Sequence, residues 1–458
     1  MEADSLAIVP FKKHLKSTLT LPGSKSITNR TLIIGALSNG TLSLEGALFS
    51  RDTLLMLEAL KTLGFEIREN KSTATIQIHG LSGNIPNQKA SLNVGNAGTA
   101  ARFLTALLAL NSAGEYELDG DPQMHERPMK GLLDALRALD AADFVFHKKE
   151  DHFPFKMYTK GILSPRAMVD ASASSQILSA LLLTLPASNC IEDIHLTCSD
   201  VRPAYVSVTE AIKRDFGIQT KQDSTETFRI KNEAYRNPSD GIYTIEPDLS
   251  AASYFLALTV LHGGKLDIKN IPKNPIQGDA AFAKVLKAHN LEIESMGKNW
   301  RVSRSNSLTV VQSEQVLDFK LFSDTFITYA AIAPIISKNV LITGIGHTRF
   351  QETDRIAAMA KELKKLGQEV YEQRSSLQII SDIKALKAVA LAARAEGKTI
   401  EIDTYEDHRI AMAFGILGTY DLLEDGSAWL SIKDPNCCGK TFPKFFTTLK
   451  ELKDASES

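Results

Sequence analysis

The chain has 458 residues, of which 43% are hydrophobic and 23% are charged, a composition typical of a globular protein with a substantial buried core. Its 52 Lys and Arg residues nearly balance its 54 Asp and Glu residues, for a formal charge of −2, which excludes a nucleic-acid binder that works through bulk positive charge. No apolar run approaches the ~18–20 residues that span a bilayer, so we expect neither nucleic acid nor a membrane among the partners.

The N-terminal segment and the cysteines indicate a cytoplasmic protein. The first twenty residues, MEADSLAIVPFKKHLKSTLT, lack the charged-then-apolar order of a signal peptide and the Arg and Ser bias of a transit peptide. The four cysteines, Cys190, Cys198, Cys437 and Cys438, are too few for a disulfide framework in this length of chain, and none has metal-ligand spacing. We therefore expect a reducing compartment and no metal site.

One pattern recurs six times along the chain: a strand, a polar loop, and an amphipathic helix that leads to another strand. The six strands read, in chain order, GTLSLEGAL, GEYELDG, IEDIHLTC, GKLDIKNI, NVLITGI and SAWLSIKD. Equivalent positions are Asp52, Pro128, Pro203, Gly278, Thr353 and Thr441, at steps of 76, 75, 75, 75 and 88 residues. The last step is longer because KALKAVALAARAEGK (384–398) predicts a helical insertion. A period near 75 exceeds that of solenoid repeats, so each copy is predicted to be a small folded module.

The alternation of strands and helices predicts the α/β class. Six modules suggest two domains of three modules each. The polar stretch KNEAYRNPSDG ends just before Ile245–Asp248, so we expect the break between the domains there.

The candidate functional residues lie in polar loops that start predicted helices, where free N–H groups and the helix dipole favour anions. In chain order they are Lys25, Ser26 and Arg30 in LPGSKSITNR, Asn96, Gly98 and Arg102 in NVGNAGTAAR, Arg127 in HERP, Ser174, Ser175 and Gln176 in DASASSQ, Arg202 and Tyr205 in VRPAY, Glu352 and Arg355 in QETDR, His408 and Arg409 in EDHR, and Lys440 in GKTFP. Basic side chains and small-residue turns at so many equivalent positions predict a site for small, highly anionic substrates.

Each of these residues taken alone also fits a structural role. Lys25 fits a solvated lysine, Ser174 fits a helix N-cap, and Glu352 with Arg355 fits a surface pair three residues apart. Their joint occurrence favours function over those roles. No P-loop is present, because Gly439 and Lys440 would need a glycine five positions earlier, at Asp434. The dinucleotide fingerprint after a first strand, HExxH and CxxC are also missing from the sequence, so we expect no cofactor.

Eight motifs together resemble the 5-enolpyruvylshikimate-3-phosphate synthase family, in family order from about residue 21 to 449: LPGSKSITNR, GNAGTAARFL, MHERPM, SASSQILSALLL, PDLSAASYF, QETDRIAAMAKELKKLG, EDHRIAMAF and GKTFPKFF. The resemblance implies a two-domain inverse (inside-out) α/β barrel of six βαβαββ units, three in each domain. The first domain would span 22–246, and the second would combine 1–21 with 247–458 and carry the insertion near 384–398.

The resemblance also implies the reaction, which transfers the enolpyruvyl group of phosphoenolpyruvate to the 5-hydroxyl of shikimate 3-phosphate and releases phosphate, in the shikimate pathway to chorismate and aromatic amino acids. The family is the target of glyphosate, and the implied protein is a monomer. The residues implied to bind phosphoenolpyruvate are Lys25, Asn96, Gly98, Arg127, Gln176, Arg355, Arg409 and Lys440. Those implied to bind shikimate 3-phosphate are Ser26, Arg30, Ser174, Ser175, Gln176, Arg202, Tyr205, Asp324, His347 and Gln351.

Four residues would be catalytic by the same resemblance. Asp324, in FSDTFIT, would accept the proton of the attacking hydroxyl. Glu352 and Lys25 would manage the proton at the methylene carbon, and His408 completes the set. Some departures from the family pattern matter: His347 stands where asparagine is common, Ala204 is inserted into the usual P-Y step, and Gln351 stands where the family usually has lysine. We expect this glutamine, which carries no charge, to weaken the binding of shikimate 3-phosphate.

Two alternatives remain open from the sequence. The first is UDP-N-acetylglucosamine enolpyruvyl transferase, which shares fold and chemistry. That family commonly has a cysteine, and in some members an aspartate, in the loop that here reads DPQMHERP, with Asp121 but no cysteine. The second is an anion-binding paralogue that has lost turnover, which only Gln351 supports. The SASSQ and QETDR segments favour shikimate 3-phosphate as the substrate.

Overall fold

The structure is a computed structural model, and it describes residues 5–190, 192–199, 203–305 and 307–458. Of the predicted site residues, Arg202 lies outside these ranges. The chain divides into two compact units. We call Gly23–Glu246 the continuous unit, and Met1–Pro22 together with Pro247–Ser458 the discontinuous unit.

The strands of the described residues are β1 Ser5–Ala7, β2 Leu15–Thr20, β3 Asn39–Glu45, β4 Ile67–Asn70, β5 Thr75–Leu81, β6 Lys89–Asn93, β7 Glu115–Asp119, β8 Ala142–Phe146, β9 Phe155–Thr159, β10 Arg166–Asp170, β11 Ile194–Ser199, β12 Lys221–Gln222, β13 Thr227–Ile230, β14 Ile242–Thr244, β15 Gly264–Lys269, β16 Glu292–Ser295, β17 Trp300–Arg304, β18 Val311–Asp318, β19 Ser337–Thr343, β20 Glu369–Glu372, β21 Leu377–Ile380, β22 Ile400–Ile402 and β23 Leu430–Lys433.

The α-helices are α1 Lys25–Leu37, α2 Arg51–Thr62, α3 Gly98–Leu108, α4 Pro122–His125, α5 Lys130–Ala138, α6 Ser175–Thr184, α7 Pro203–Asp215, α8 Leu249–His262, α9 Phe282–Val285, α10 Phe326–Ile336, α11 Arg355–Lys365, α12 Ile383–Ala395, α13 His408–Gly418 and α14 Phe445–Glu457. Four 3₁₀ turns also position residues of interest: Gly278–Ala281, Ser323–Thr325, Gly346–Phe350 and Pro435–Lys440.

Three mixed sheets with one common plan form the continuous unit. Their strand orders are β14-β3-β5-β4, β6-β7-β9-β8 and β10-β11-β13-β12. In each sheet the first pair is parallel and the other two pairs are antiparallel. A parallel pair needs a crossover, which α3 and α6 supply for the second and third sheets.

The discontinuous unit takes strands from both ends of the chain. Two of its sheets repeat this plan, and the third has three strands, with one antiparallel and one parallel pair. Its sheets are β16-β17-β15-β2, β18-β19-β21-β20 and β1-β23-β22. Strand β2 pairs in parallel with β15 from Gly264↔Leu15 to Lys269↔Thr20, although the whole continuous unit lies between them in sequence. The mixed sheets and their helices confirm the predicted α/β class, and the predicted helical insertion is α12.

Three apolar helices form the centre of each unit. Helices α1, α3 and α6 pack against one another in the continuous unit, as α8, α10 and α13 do in the discontinuous unit. Every residue of α3, α10 and α13 is buried, as expected for helices that are apolar on all sides. None of the helices within the described ranges has the length and apolar character needed to span a bilayer. The first turns of α1, α3, α6 and α13 carry seven of the predicted site residues: Lys25, Ser26, Gly98, Ser175, Gln176, His408 and Arg409.

Candidate functional site

The starts of α3 and α6 are hydrogen-bonded to each other in the continuous unit. Gln176 donates from Nε2 to Oγ1 of Thr99 at 3.2 Å and accepts from Nη1 of Arg102 at 3.3 Å. Arg102 also donates to the carbonyl of Gly98 at 2.9 Å. Ser174 caps α6 by accepting from the backbone N–H of Gln176. The structure therefore brings the predicted segments NVGNAGTAAR and DASASSQ together.

Arg127 lies directly over the start of α3. Its Nη1 donates to the backbone carbonyl and to Oδ1 of Asn96, both at 3.1 Å. Its Nε is buried without a hydrogen-bond partner in the described residues. An added Cβ at Gly98 would lie 2.6 Å from Nη2 of Arg127 and 2.7 Å from Nη1 of Arg102, so only glycine fits beneath these two guanidinium groups without a shift.

Arg30 is buried, with 1% of its surface exposed, and its partners are neutral. It donates to Oγ1 of Thr209 at 2.8 Å, to the carbonyl of Ser26 at 3.0 Å, to Oγ of Ser179 at 3.3 Å and to the carbonyl of Tyr205 at 3.4 Å. Burial lowers its pKa to about 10, so it stays charged at neutral pH. No carboxylate of the described residues pairs with it, and an anionic ligand would supply the missing charge.

Lys25 begins α1 and contacts Asp52 in the first turn of α2. Its Nζ lies 3.1 Å from Oδ2 of Asp52, and the two side chains are 15% and 3% exposed. The acid neutralises and orients the ammonium group. The sequence analysis identified Asp52 only as one of the equivalent positions of the six repeats. It did not predict the pairing of Asp52 with Lys25.

Arg355 is the centre of a charged cluster in the discontinuous unit. Its guanidinium donates to Asp407 at 2.7 Å and 3.3 Å, to Asp324 at 3.0 Å and to Glu352 at 2.9 Å. It also donates to Oε1 of Gln351. Burial opposes the charge of Arg355, but the three carboxylates outweigh burial and raise its pKa above the ordinary value. Arg355 therefore carries its positive charge at the centre of the cluster.

Two further cations complete this cluster. Arg409 donates from Nη2 to Oδ2 of Asp324 at 2.8 Å, and Nζ of Lys440 lies 3.2 Å from Oε1 of Glu352. The three cations and the three carboxylates balance in formal charge. A bound anion would contact Arg409 and Lys440 in competition with the carboxylates, which would leave those carboxylates more basic.

The two predicted histidines lie in the same unit. Nε2 of His347 lies 2.8 Å from Oγ of Ser323, the residue before Asp324. His408 is buried at the start of α13, with Nδ1 3.8 Å from Oδ1 of Asp407. The pattern EDHR places Asp407 at the N-cap of α13, which was the available signal for its role as the partner of Arg355. Within the described ranges, no group of three or more His, Cys, Asp or Glu side chains could hold a metal ion.

Comparison with known proteins identifies the family. The family model described as EPSP synthase (3-phosphoshikimate 1-carboxyvinyltransferase) matches residues 10–449. The chain belongs to the EPSP synthase family. A 3-phosphoshikimate 1-carboxyvinyltransferase from Opitutus terrae is 44% identical over 457 residues, 99% of this chain and 98% of the relative. One from Nostoc punctiforme is 36% identical over 449 residues, 98% of this chain and 99% of the relative.

Solved structures show that the EPSP synthase family fold extends over the whole chain. An EPSP synthase from Acinetobacter baumannii matches with a TM-score of 0.75 at 23% identity, over 99% of this chain and 98% of that one. The enolpyruvyl transferase NikO from Streptomyces tendae matches with a TM-score of 0.69 at 13% identity, over 98% and 97% of the two chains. At these identities the likeness establishes the fold alone.

Proposed function

We propose that this chain transfers the enolpyruvyl group of phosphoenolpyruvate to the 5-hydroxyl of shikimate 3-phosphate. In the first step the hydroxyl oxygen loses its proton and bonds to C2 of phosphoenolpyruvate, while the methylene carbon C3 gains a proton. In the second step C3 loses a proton, the double bond forms again, and phosphate leaves with the electron pair of its bond to C2. Both steps balance without an oxidant or reductant, and we assign no cofactor.

The cluster around Arg355 is the observation that supports this proposal most directly. One guanidinium holds both Asp324 and Glu352, which are the two carboxylates that the two proton transfers need. We assign Asp324 as the base for the hydroxyl proton and Glu352 as the group that moves the C3 proton. Arg409 and Lys440 each contact one of these acids, and they are suited to stabilise the charge that develops on the departing phosphate.

The remaining assignments follow the family resemblance. Lys25 and His408 complete the proposed catalytic set. We assign phosphoenolpyruvate to Lys25, Asn96, Gly98, Arg127, Gln176, Arg355, Arg409 and Lys440. We assign shikimate 3-phosphate to Ser26, Arg30, Ser174, Ser175, Gln176, Arg202, Tyr205, Asp324, His347 and Gln351. The neutral surroundings of Arg30 and Arg127 support anion binding, because a buried or half-buried guanidinium without a carboxylate partner gains most from a charged ligand.

Three wider features belong to the same proposal. The continuous and discontinuous units are proposed to be the two enolpyruvyl-transferase domains, each an inside-out α/β barrel of three βαβαββ units. The boundaries by compactness, after Pro22 and after Glu246, support this division. We also propose that the protein acts as a cytoplasmic monomer.

Phosphate release with two different acceptors tests the proposed function. The purified protein is incubated with phosphoenolpyruvate and either shikimate 3-phosphate or UDP-N-acetylglucosamine. We expect release with shikimate 3-phosphate alone. Release with the UDP-sugar would assign the chain to the related transferase activity. If neither acceptor gives phosphate release but calorimetry shows that shikimate 3-phosphate binds, the result would support a paralogue without turnover.

Replacing Gly98 with alanine is expected to raise the KM for phosphoenolpyruvate about 10-fold, which is about 1.4 kcal/mol, with little change in the KM for shikimate 3-phosphate. The added methyl would displace the guanidinium groups of Arg127 and Arg102. Gly439→Ala is the matched control, because its Cβ would meet no atom within 4 Å. Steady-state kinetics decide the prediction, and an unchanged KM for phosphoenolpyruvate in Gly98→Ala would contradict it.

Replacing Gln351 with lysine is expected to lower the KM for shikimate 3-phosphate several-fold, about 3–10-fold for one added charge-assisted hydrogen bond. The lysine cannot accept the hydrogen bond that Gln351 takes from Arg355, so its ammonium is free for the substrate. Gln312→Lys adds the same charge on an exposed part of β18 and is expected to have no effect. An equal or higher KM in Gln351→Lys would be inconsistent with this role.

A further inference from the structure

One buried acid of the discontinuous unit has no part in the proposed reaction. Asp279 lies on the turn Gly278–Ala281, and only 8% of its surface is exposed. Its one side-chain hydrogen bond in the described residues comes from Oγ of Ser250, 3.1 Å from Oδ1. No described lysine or arginine lies within ion-pair distance of it. Buried carboxylates normally have a cationic partner, so this one calls for an explanation.

The position of Asp279 gives that explanation. The turn Gly278–Ala281 packs against the start of α8 and against the turn Ser323–Thr325, which carries Asp324. The charged groups that act on Asp279 are Asp324, Arg409 and Asp248, the last of which caps α8. Lys284 of the following helix is exposed and is not among them. Two carboxylates thus oppose the ionisation of Asp279, and one guanidinium favours it.

Asp279 consequently loses its proton at a higher pH than an ordinary aspartate does. Burial is the largest cause, and with the charge of Asp324 it raises the pKa of Asp279 to about 7 against the opposing effect of Arg409. Interaction between two titrating groups is mutual. An anion at Asp279 therefore raises the proton affinity of Asp324 as much as Asp324 raises that of Asp279.

Asp324 needs such an opposing charge to serve as a base. Its two carboxylate oxygens accept hydrogen bonds from Arg355 at 3.0 Å and from Arg409 at 2.8 Å. Two guanidinium groups stabilise the ionised form and weaken it as a proton acceptor. A second, unpaired carboxylate in the same buried region restores part of that basicity.

We infer that Asp279 is a positioning residue that sets the proton affinity of Asp324, the base for the acceptor hydroxyl. This inference rests on the proposed function for its role in turnover, but the coupling between the two acids is a property of the protein alone. The alternative is a structural role in which Asp279 only accepts the hydrogen bond of Ser250. Asp279→Asn distinguishes the positioning role from the structural role. The substitution removes the charge, whereas the amide oxygen can still accept the hydrogen bond from Ser250.

A carboxyl titration tests the coupling without any substrate. The protein is labelled with ¹³C at the aspartate carboxyl groups, and the signal missing from Asp279→Asn is assigned to Asp279. We expect this signal to titrate near pH 7 and to move to lower pH by at least one unit in Asp324→Asn. A midpoint below 5 in the unaltered protein, or one that Asp324→Asn leaves in place, would overturn the inference.

The pH dependence of kcat tests the consequence for turnover. We expect kcat of the unaltered protein to rise about 3–10-fold through pH 7 as Asp279 ionises, in line with general-base behaviour, and this rise to be lost in Asp279→Asn with both KM values unchanged. Ser250→Ala, which removes the hydrogen bond and keeps the charge, is expected to retain the rise. The inference would be overturned if Asp279→Asn lowered kcat by the same factor at every pH, or if kcat of Asp279→Asn still rose through pH 7. If the unaltered protein shows no turnover, the proposed function fails and the carboxyl titration still decides on Asp279.

Thermal unfolding checks that Asp279→Asn remains folded and has its own expected outcome. Because the pKa of Asp279 is raised in the folded protein, the folded state binds this proton more tightly than the unfolded state. Stability from this group is present below its ordinary pKa near 4 and is lost as the pH rises to about 7. We therefore expect Asp279→Asn to have a higher Tm than the unaltered protein at pH 8 and a similar Tm at pH 4.5. A lower Tm of Asp279→Asn than of the unaltered protein at pH 8 would contradict the inference that Asp279 carries an uncompensated charge in the folded protein.

Discussion

Replacing Arg355 with methionine is expected to reduce kcat/KM by at least about 10³-fold and to lower the free energy of unfolding by about 3–5 kcal/mol. The methionine has similar length but leaves Asp324, Glu352 and Asp407 without the guanidinium that holds all three. These three neighbouring carboxylates, which are largely buried in the protein, would then repel one another. Denaturant unfolding measures the stability, and phosphate release measures the activity.

A surface arginine provides the matched control for this change. Arg301 pairs with Asp267 at 2.9 Å, but the two side chains are 32% and 33% exposed. Arg301→Met is expected to leave both the free energy of unfolding and kcat/KM nearly unchanged, because an exposed ion pair contributes little. Arg355→Lys keeps the charge without the forked geometry, and its activity should fall between those of Arg355→Met and the unaltered protein. Stability of Arg355→Met within about 1 kcal/mol of the unaltered protein would mean that the cluster is not held by Arg355.

The second large effect is expected from Glu352→Gln, with kcat reduced about 10²–10⁴-fold, the usual contribution of a general acid or base. The amide has the same size, and its single oxygen can keep the hydrogen bond from either Arg355 or Lys440, which contact different oxygens of Glu352, but it cannot take up a proton from C3. The KM values are expected to change little, because the cations that would hold the substrates remain. Single-turnover kinetics with a quench would separate slow chemistry from slow product release.

Hydrogen exchange at C3 gives the sharper readout for Glu352. In deuterated water, the unaltered protein with both substrates is expected to incorporate deuterium into the methylene group of phosphoenolpyruvate, and Glu352→Gln is expected to lose this exchange. Glu372→Gln is the control, because Glu372 is 41% exposed and lies 3.6 Å from Arg349. Exchange at the original rate in Glu352→Gln would assign the C3 proton to another group.

The sequence predicted the local architecture better than the pairing of distant segments. The helix α12 follows directly from an alanine- and lysine-rich stretch, and the α/β class follows from alternation of strands and helices. The pairing of β2 with β15, and of β14 with β3, could not be predicted. Hydrophobic pattern specifies which face of a strand is buried, whereas the partner of that strand depends on contacts between residues far apart in the chain.

The same distinction applies to the site. Lys25, Gly98 and Arg355 could be found because each lies at a helix start, a feature visible in the sequence. Their partners could not be found in this way. Asp52 and Asp279 read as ordinary acids near the starts of predicted helices, since only the packed structure brings Asp52 to Lys25 and sets Asp279 among other charges without a cationic partner.

The most direct test of the proposed transfer follows the carbon atoms themselves. The purified protein is incubated with shikimate 3-phosphate and phosphoenolpyruvate labelled with ¹³C at C3, and NMR monitors the label while free phosphate is measured. We predict that the label appears as an enol ether on the 5-oxygen of shikimate 3-phosphate, with one phosphate released for each group transferred. Label that stays in phosphoenolpyruvate, or that appears as pyruvate with phosphate, would contradict enolpyruvyl transfer by this protein.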